Sequence, residues 1–566
     1  MKVEERLIRH ESFAEGEVDV HYRTSEEGPG MLYYAHFAPG VHVENGILCE
    51  QDVPVTLRDG TVIYTDVYRP EGATDVPAIV AWSPYGKRHG YAPKGRQAFL
   101  ALGVPPGTTS PMAKFEGPDP AYWCHQGYAV VNPDARGAGH SEGNLLCVGT
   151  QDGRDAYDLI EWVAAQTWSN GKVGMSGNSW LAMVQWYTAA EKPPHLACIA
   201  PFEGCSDVYR EFICTGGIPE PGFNEFLLSG LRSENLIEDW VAMARTYPLM
   251  NPYWEDKVAR FEDIEVPAYI TGGWSHFHLR GATEAFRRIA SPRKWLRIHR
   301  DFEWPDAVDP QTLEDLRRFF DRYLKDIRNG WEMTPRVRLD VMDAYDVDFA
   351  VRRAEGEFPL ARTVYTPLYL APHGRLSTEA VEVESSVSYD AAGGETAFDV
   401  TFEHETEVTG YLKLRLWVEA QGSEDMDLFV AVQKLDRHGR FVPTLVLGEP
   451  YPGTPGLMRV SHRELDESLS TPDHPHHTHR HEQLLGAGEV VPVEVEIYPT
   501  SRIWHPGEQL RVVVSGHYQR HGWFEPFAWD TRNRGRHVIH LGGPYDSHLL
   551  VPIVPPRLAA DGYVRR

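Results

Sequence analysis

The sequence predicts an α/β fold followed by an all-β domain, and three observations carry that prediction. Buried apolar strands alternate with helical segments between about residues 51 and 334. A serine sits on a turn between one such strand and the helix after it. Beyond residue 335 the pattern changes to short segments of period two, separated by Gly and Pro.

Taken in order, residues 1–46 are polar with scattered aromatics and read as an extension that packs on the body. Apolar and polar residues then alternate from Val53 to Pro70 around Asp59-Gly60, a hairpin signature. Buried strands follow at 77–82, 128–132, 172–176, 196–200, 268–271 and 295–298, with helices at 155–165 and 181–190 between them. That alternation predicts a largely parallel sheet with helices on both faces. Between Glu203 and Ile264 it stops, and an aromatic-rich, helix-like stretch punctuated by Pro219 and Pro221 takes over. An insertion there would cover the strand C-termini, where α/β proteins bind ligands, so it is expected to be a cap walling the substrate pocket. After a helix at 312–327 the chain passes Asn329-Gly330 and Pro335. The expected domains are an extension (1–46), a core in two parts (47–202 and 265–334), a helical cap (203–264) and a C-terminal β-sandwich, a jelly roll (335–566).

The segment Gly177-Asn178-Ser179-Trp180-Leu181 carries the chemistry. A serine on a strand-to-helix turn is a nucleophile elbow, the mark of an α/β-hydrolase core. The turn strains the serine backbone and lifts Oγ above the sheet, Gly177 lets the backbones approach, and the Trp180 N–H at the helix start can stabilise an oxyanion. The common pattern is G-x-S-x-G, and here Leu181 takes the last place. The plainer reading is a capping serine between a strand and a core helix.

Composition narrows the function classes. A net charge of −26 argues against nucleic acid and anionic membrane surfaces as partners, since both are polyanions. The expected partner is a small-molecule ester or amide substrate, with homo-oligomerisation left open. Six scattered cysteines without C-x-x-C spacing give no zinc or redox motif and read as reduced thiols. Without an apolar leader or a long apolar run, a cytoplasmic protein is the expectation.

From about residue 50 to 555 the chain resembles the cocaine-esterase/X-prolyl dipeptidyl-peptidase family of serine hydrolases. The matching pieces are the 57–70 hairpin, Ser83-Pro84-Tyr85, the Asp134-Ala135-Arg136-Gly137 and Ser141-Glu142-Gly143 segment, residues 155–162 and 166–171 before the elbow, and 406–410 with 425–430 in the β domain. The resemblance implies an α/β-hydrolase core, an inserted helical cap and a C-terminal jelly roll. It also implies that Tyr85 donates its hydroxyl to the oxyanion beside the Trp180 amide. No cofactor and no metal are implied.

The acid and base depart from the family's pattern. Where the family has G-W-x-D, this chain has Gly273-Trp274-Ser275-His276, with His278 two residues on. Where the family has G-P-W-x-H, the last strand runs into His299 and then Glu303 and Asp306. Catalysis needs a base in reach of Ser179 and a carboxylate behind it. Two arrangements are compatible with the spacing: His299 as base with Glu303 or Asp306 from its own loop, or His276 or His278 as base with Glu303 from the other loop. The first is the ordinary route, because that loop normally reaches the nucleophile.

The function implied is hydrolysis of an ester or amide through a serine acyl-enzyme, as a carboxylesterase. An X-Pro dipeptidyl-peptidase or α-amino-acid ester hydrolase is the neighbouring reading. A hydrolase with a degraded triad that only binds ligands, or a binding protein using the sandwich, belongs to another class. Among other features, five histidines from His474 to His481 could hold a metal adventitiously. Asp134 and Arg136 read as an ion pair fixing a turn. Asp207, Glu211 and Glu220 could hold a substrate amino group or simply form an exposed acidic face.

Overall fold

The computed structural model describes residues 6–8, 18–26, 37–88, 100, 103–519 and 527–556, so part of the expected 1–46 extension lies outside the described residues. The chain forms two compact units. One comprises residues 1–213, 222–247 and 251–336, the other 214–221, 248–250 and 337–566.

The first unit is built on a mixed sheet. Strands β1 (Ile47–Thr56) and β2 (Val62–Pro70) are antiparallel, joined by the turn that contains Gly60 at φ 90°. Strand β2 pairs antiparallel with β4 (Ala129–Pro133), which runs parallel to β3 (Val76–Val80). From there every neighbour is parallel: β3 with β5 (Ser169–Asn178), β5 with β6 (Leu196–Phe202), β6 with β7 (Ala268–Gly273), and β7 with β8 (Lys294–His299). Every residue of β3, β4 and β7 is buried, as strands covered on both faces require. The parallel expectation thus holds for the strands after the hairpin, while the hairpin adds an antiparallel edge. This α/β-hydrolase fold brings the C-terminal ends of β5 through β8 to one rim.

The helices follow from their patterns. Helix α1 (Thr150–Ala164) buries Ala156, Leu159, Ile160 and Val163, one stripe at 3.6 periodicity. All eleven residues of α2 (Trp180–Ala190) are buried, so it is central, and its polar Gln185 and Thr188 bond backbone carbonyls. Helices α3 (Leu279–Arg288) and α4 (Pro310–Leu324) follow β7 and β8, the latter capped by Asp309 accepting from the Gln311 and Thr312 N–H groups. The expected 203–264 insertion is mostly helical, with helices at Pro221–Gly230 and Trp240–Thr246 and a short strand at Leu236–Glu238. That strand pairs with Val20–Thr24 of the N-terminal extension, and Arg23 bridges Glu225 and Asp239 at 2.7 and 2.6 Å.

The second unit is β-rich. Ser385–Asp390, Arg536–Leu541, Thr406–Gln421 and Val491–Trp504 pair antiparallel in that order. Thr454–Arg459, Asp427–Leu435, Gln509–Ser515 and Glu395–Thr401 form a second antiparallel series. Alternate residues of both series, among them Leu414, Leu416, Val430, Val432, Val512 and Ile539, meet in one core. Among the described residues no helix is long and apolar enough to cross a membrane, and all six cysteines are buried and unpaired.

Several buried charges hold the first unit. Asp134 and Arg136 do not pair with each other as expected. Lys87 pairs with Asp134, while Arg136 bridges Asp155 and Asp59, each at 2.7 Å. The two side chains leave a tight turn in different directions and each finds a buried counter-charge from another element. On α1, Asp152 is buried and accepts from Trp82 Nε1 at 2.8 Å; burial pushes its carboxyl up to about 7. A carboxyl held above its unfolded value stabilises the fold at low pH, and this contribution is lost as pH rises towards 7. Asp152→Asn keeps the acceptor and removes the charge. Its advantage over wild type is expected to grow by ~2 kcal/mol between pH 5 and pH 7.5, read from urea midpoints; an advantage independent of pH would count against the buried carboxyl.

Candidate active site

Strand β5 ends at Asn178 and α2 begins at Trp180, so Ser179 alone makes the turn. Its backbone lies at φ 54°, ψ −120°, a conformation L-residues rarely hold. Four hydrogen bonds retain it. Ser179 N–H donates to the Glu203 carbonyl at 2.9 Å, Ser179 O accepts from the Ala182 and Met183 N–H groups, and Asn178 N–H donates to the Glu116 carbonyl at 3.1 Å. Gly177 stands at φ 136°, and a Cβ there would come within 2.5 Å of Leu181 Cβ and 3.0 Å of the Glu116 carbonyl. The glycine is therefore required by both its backbone and its space. The Trp180 N–H lies in the first turn of α2, where helix amides have no partner within the helix.

Tyr85 follows β3 on the Ser83-Pro84 turn. It is buried, its ring stands edge-on to Phe115 and Trp180 at 5.3 and 6.1 Å, and its hydroxyl lies beside the Ser179 side chain. Burial first, then the Glu116 carboxyl, holds its pKa well above the phenol range, so it stays protonated and able to donate.

The acid and base candidates gather at the ends of β6, β7 and β8. His276 and His278 follow β7, His299 ends β8, Glu303 opens the next short helix, and Glu203 follows β6. His299 has both nitrogens engaged: Nδ1 faces the Asp301 carbonyl at 3.0 Å, and Nε2 faces Glu203 Oε1 at 2.9 Å and Asp306 Oδ2 at 3.4 Å. Asp306 is itself gripped by Arg297 at 2.7 and 2.5 Å. His276 Nδ1 takes the His278 N–H at 3.4 Å and lies 3.5 Å from Glu203 Oε2, with Nε2 3.7 Å from Glu303 Oε1. His278 Nδ1 lies 3.7 Å from Glu303 Oε2. Beside the nucleophile, Asn178 Nδ2 donates to the Glu303 carbonyl at 3.4 Å.

Burial sets the protonation states. It pushes the His276 imidazole down to about 4 and His278 well below the usual value, the latter also because His276 adjoins it. For His299 burial alone would lower the pKa, but Asp306 and Glu203 outweigh it and hold it above the ordinary imidazole value. Burial raises Glu116 to about 8, and burial with Glu116 and Glu203 raises Glu303 well above the carboxylate range.

Every candidate from the sequence except the remote motifs thus falls at this one rim: Ser179, Trp180, Tyr85, His276, His278, His299 and Glu303. Glu203 and Glu116 were not foreseen. Glu203 closes a buried strand and precedes Gly204, a signal lost because the expected cap begins there. Glu116 lies in a Pro- and Gly-rich loop without a motif. Asp207, Glu211 and Glu220 are buried, not an exposed face. Asp207 pairs with Arg210 at 2.6 Å, Glu211 with Arg280 at 2.9 Å, and Glu220 accepts the Ala528 N–H at 2.7 Å. In the histidine-rich segment His474 and His481 each face a glutamate at 3.0 Å. Among the described residues, Glu203, His276 and His278 bring three donor atoms within 4.8 Å of one another, close enough for one divalent cation to bridge. Asp343, His505 and Glu508 also converge, but Lys434 Nζ already lies 2.6 and 2.8 Å from the two carboxylates. Beside the elbow a cavity of about 110 Å³ is lined by Glu116, Asn178, Trp304, Phe202 and Leu316.

A strained serine under a helix N-terminus, a tyrosine hydroxyl beside it, and imidazoles and carboxyls from the next strand ends define a serine hydrolase of the α/β-hydrolase fold. Residues 59–236 match the family profile described as X-Pro dipeptidyl-peptidase (S15 family), and residues 329–550 the X-Pro dipeptidyl-peptidase C-terminal non-catalytic domain. A CocE/NonD family hydrolase from Staphylococcus aureus is 35% identical over 90% of this chain and 94% of its own, with a TM-score of 0.85. The chain belongs to the CocE/NonD family of hydrolases. It is 25% identical to the cocaine esterase of Rhodococcus sp. (strain MB1 Bresler) over 90% of this chain and all of that one. An α-amino acid ester hydrolase shares its fold at 16% identity, with a TM-score of 0.66 over 91% of this chain and 98% of its own.

The Glu203 carboxylate is one of the two charges that hold His299 up. Glu203→Gln is expected to lower the His299 pKa, followed by NMR of ¹³C-labelled histidine; an unmoved titration would show that Asp306 alone sets it.

Proposed function

We propose that this protein is a carboxylesterase in which Ser179 attacks the acyl carbonyl, His278 is the general base and Glu303 is its acid. The observation that carries the assignment is the division of labour among the three imidazoles. His299 has both nitrogens occupied, and His276 lies between Glu203, the His278 amide and Glu303. His278 has Nδ1 3.7 Å from the Glu303 carboxyl and, among the described residues, no hydrogen bond on Nε2, the arrangement a triad can close. Glu303 is also tied to the elbow through Asn178.

In this reading His278 takes the Ser179 proton as Oγ adds to the carbonyl. The Tyr85 hydroxyl and the Trp180 N–H hold the oxyanion. The proton passes to the leaving alkoxide, and water, activated by the same imidazole, releases the acid and regenerates Ser179. The low pKa of His278 keeps it neutral and ready to accept. Glu303 has to lose its proton before it can support the imidazolium, because a neutral acid offers that cation little.

Cleavage of X-Pro dipeptides is the second reading, after the name of the matched profile. It needs a free carboxylate for the substrate's α-amino group. The three cap acids that could supply one are already engaged by Arg210, Arg280 and the Ala528 amide. The ester reading is therefore preferred. We take the β-rich unit to be a jelly roll, residues 203–264 to act as a cap over the rim, and the protein to be cytoplasmic.

Fluorophosphonate labelling read by mass spectrometry tests the assignment. The adduct is expected on Ser179 and absent in Ser179→Ala. The labelling rate should fall ~10²–10⁴-fold in His278→Ala and ~10²–10³-fold in Tyr85→Phe, while His276→Ala and His299→Ala retain most of it. A larger loss in His299→Ala than in His278→Ala would transfer the role of base to His299. A p-nitrophenyl ester should be turned over in preference to an X-Pro p-nitroanilide. The rate should also rise with pH as Glu303 ionises; a rate that does not rise with pH would remove Glu303 from the triad.

A further inference from the structure

One short segment touches all three parts of the site without belonging to any of them. The Phe115 ring stands edge-on to Tyr85 at 5.3 Å and to Trp304 at 5.8 Å. The Glu116 carbonyl accepts the Asn178 N–H at 3.1 Å, next to the nucleophile. The Glu116 side chain accepts from Trp304 Nε1 at 2.9 Å, next to Glu303. Behind them Lys114 is wholly buried and donates to the carbonyls of Ala81 and Pro133 at 2.8 and 3.1 Å, which pins the segment to the ends of β3 and β4.

We propose that Phe115 and Glu116 form a positioning segment that holds the oxyanion tyrosine, the elbow serine and the Glu303 loop at one mutual spacing. The inference rests on the serine-hydrolase reading above. Glu116 stands at φ 60°, where a non-glycine residue persists only if its surroundings over-determine it. Here the surroundings are the two hydrogen bonds just described, one through the backbone and one through the side chain. The contacts are also mutually exclusive with a side chain at residue 177, since a Cβ on Gly177 would press on the Glu116 carbonyl at 3.0 Å. Asn178 completes the loop by donating to the Glu303 carbonyl, so Glu116, Asn178, Glu303 and Trp304 form a closed ring of contacts around the nucleophile. A ring of this kind transmits a shift in any one member to the others, because no member can relax without breaking a bond in a buried site.

The carboxyl itself need not be charged for this. Burial pushes Glu116 up to about 8, its Oε2 has no hydrogen-bond partner among the described residues, and Oε1 alone meets Trp304. A neutral amide of the same shape offers Trp304 the same acceptor. The same geometry also places Glu116, Asn178 and Trp304 on the wall of the cavity beside the elbow, so slack in the segment would have room to develop.

The experiment compares the full chain with Glu116→Ala, Glu116→Gln, Trp304→Phe and Glu116→Ala/Trp304→Phe, using a p-nitrophenyl ester and fluorophosphonate labelling of Ser179. Glu116→Ala is expected to lower kcat by ~10²-fold, the scale of a misplaced reacting group, with KM changed by less than ~2-fold. Glu116→Gln should recover kcat to within ~10-fold of wild type. Trp304→Phe should lower kcat in the same way, and the double variant should be no worse than the poorer single one. A Glu116→Ala enzyme with wild-type kcat, a loss that lies in KM, or a Glu116→Gln enzyme as impaired as Glu116→Ala would each overturn the proposal. If Glu116→Ala does not fold, Trp304→Phe decides alone, a fall in kcat supporting the segment and an unchanged kcat overturning it. Absence of any adduct on Ser179 in the wild type would instead sink the serine-hydrolase reading on which the proposal stands.

Discussion

The site depends on the backbone of Ser179. At φ 54°, ψ −120° the residue has left the strand and not yet entered the helix, and its hydroxyl is lifted off the sheet as a result. Such a conformation costs of order 1–3 kcal/mol and survives only where its neighbours leave no alternative. Here the neighbours are specific. The Glu203 carbonyl takes the serine amide, α2 takes the serine carbonyl, and Gly177 leaves the space in which Leu181 and the Glu116 carbonyl approach. Much of the rest of the first unit can be read as support for this turn: β5 lies between β3 and β6, and α2 is buried along its whole length.

A second constraint is electrostatic. The chain carries a net charge of −26, yet the rim around Ser179 buries Glu116, Glu203, Glu303 and Asp306 together. Four ionised carboxylates could not share such a volume, since an isolated buried charge costs several kcal/mol. The site resolves this with one strong cation and with protons. Arg297 neutralises Asp306, and Asp306 and Glu203 hold the His299 pKa above the ordinary imidazole value. Glu116 and Glu303 are pushed towards their neutral forms. Burial outweighs the Glu203 charge at His276 and, with His276 beside it, lowers His278, so both stay neutral. A neutral imidazole and a carboxyl that must ionise are then found side by side, and the chemistry proposed for them follows from that proton count.

How much of this could be read beforehand differs residue by residue. The elbow was legible because a buried strand, a glycine, a serine and an apolar helix occupy consecutive positions. The placement of Tyr85 beside Ser179 was legible only through family resemblance, since nothing in Ser83-Pro84-Tyr85 itself points to the elbow. The β-rich unit was legible from period two, which burial follows over residues 414–420 and 509–512. Pairing partners were not. Asp134 and Arg136, two residues apart, turn to Lys87 and to Asp155 with Asp59, and no local rule selects partners that are 47, 19 and 77 positions away. For the same reason the sequence could name His276, His278 and His299 but could not rank them. Ranking depends on which carboxyl meets which nitrogen, and Glu203 and Glu303 reach those nitrogens from different strand ends.

The departure from the family's acid and base patterns then has a physical reading. A triad is fixed by distances and roles, not by the order of its members along the chain. The ends of β7 and β8 are neighbours in a parallel sheet, with Gly273 level with His299. Loops leaving the two ends face the same space, and either can deliver an imidazole while the other delivers a carboxyl. Under the proposed assignment the histidine comes from the β7 loop and the glutamate from the β8 loop, an exchange that leaves the sheet and the elbow untouched. Glutamate is longer than aspartate by one methylene, which suits a carboxyl arriving from a helix start and not from the strand end itself. Under the same assignment His299 serves as the partner of the buried Glu203, 2.9 Å from its Oε1. The exchange is therefore a matter of two loops, and the parallel register of β7 and β8 is what permits it.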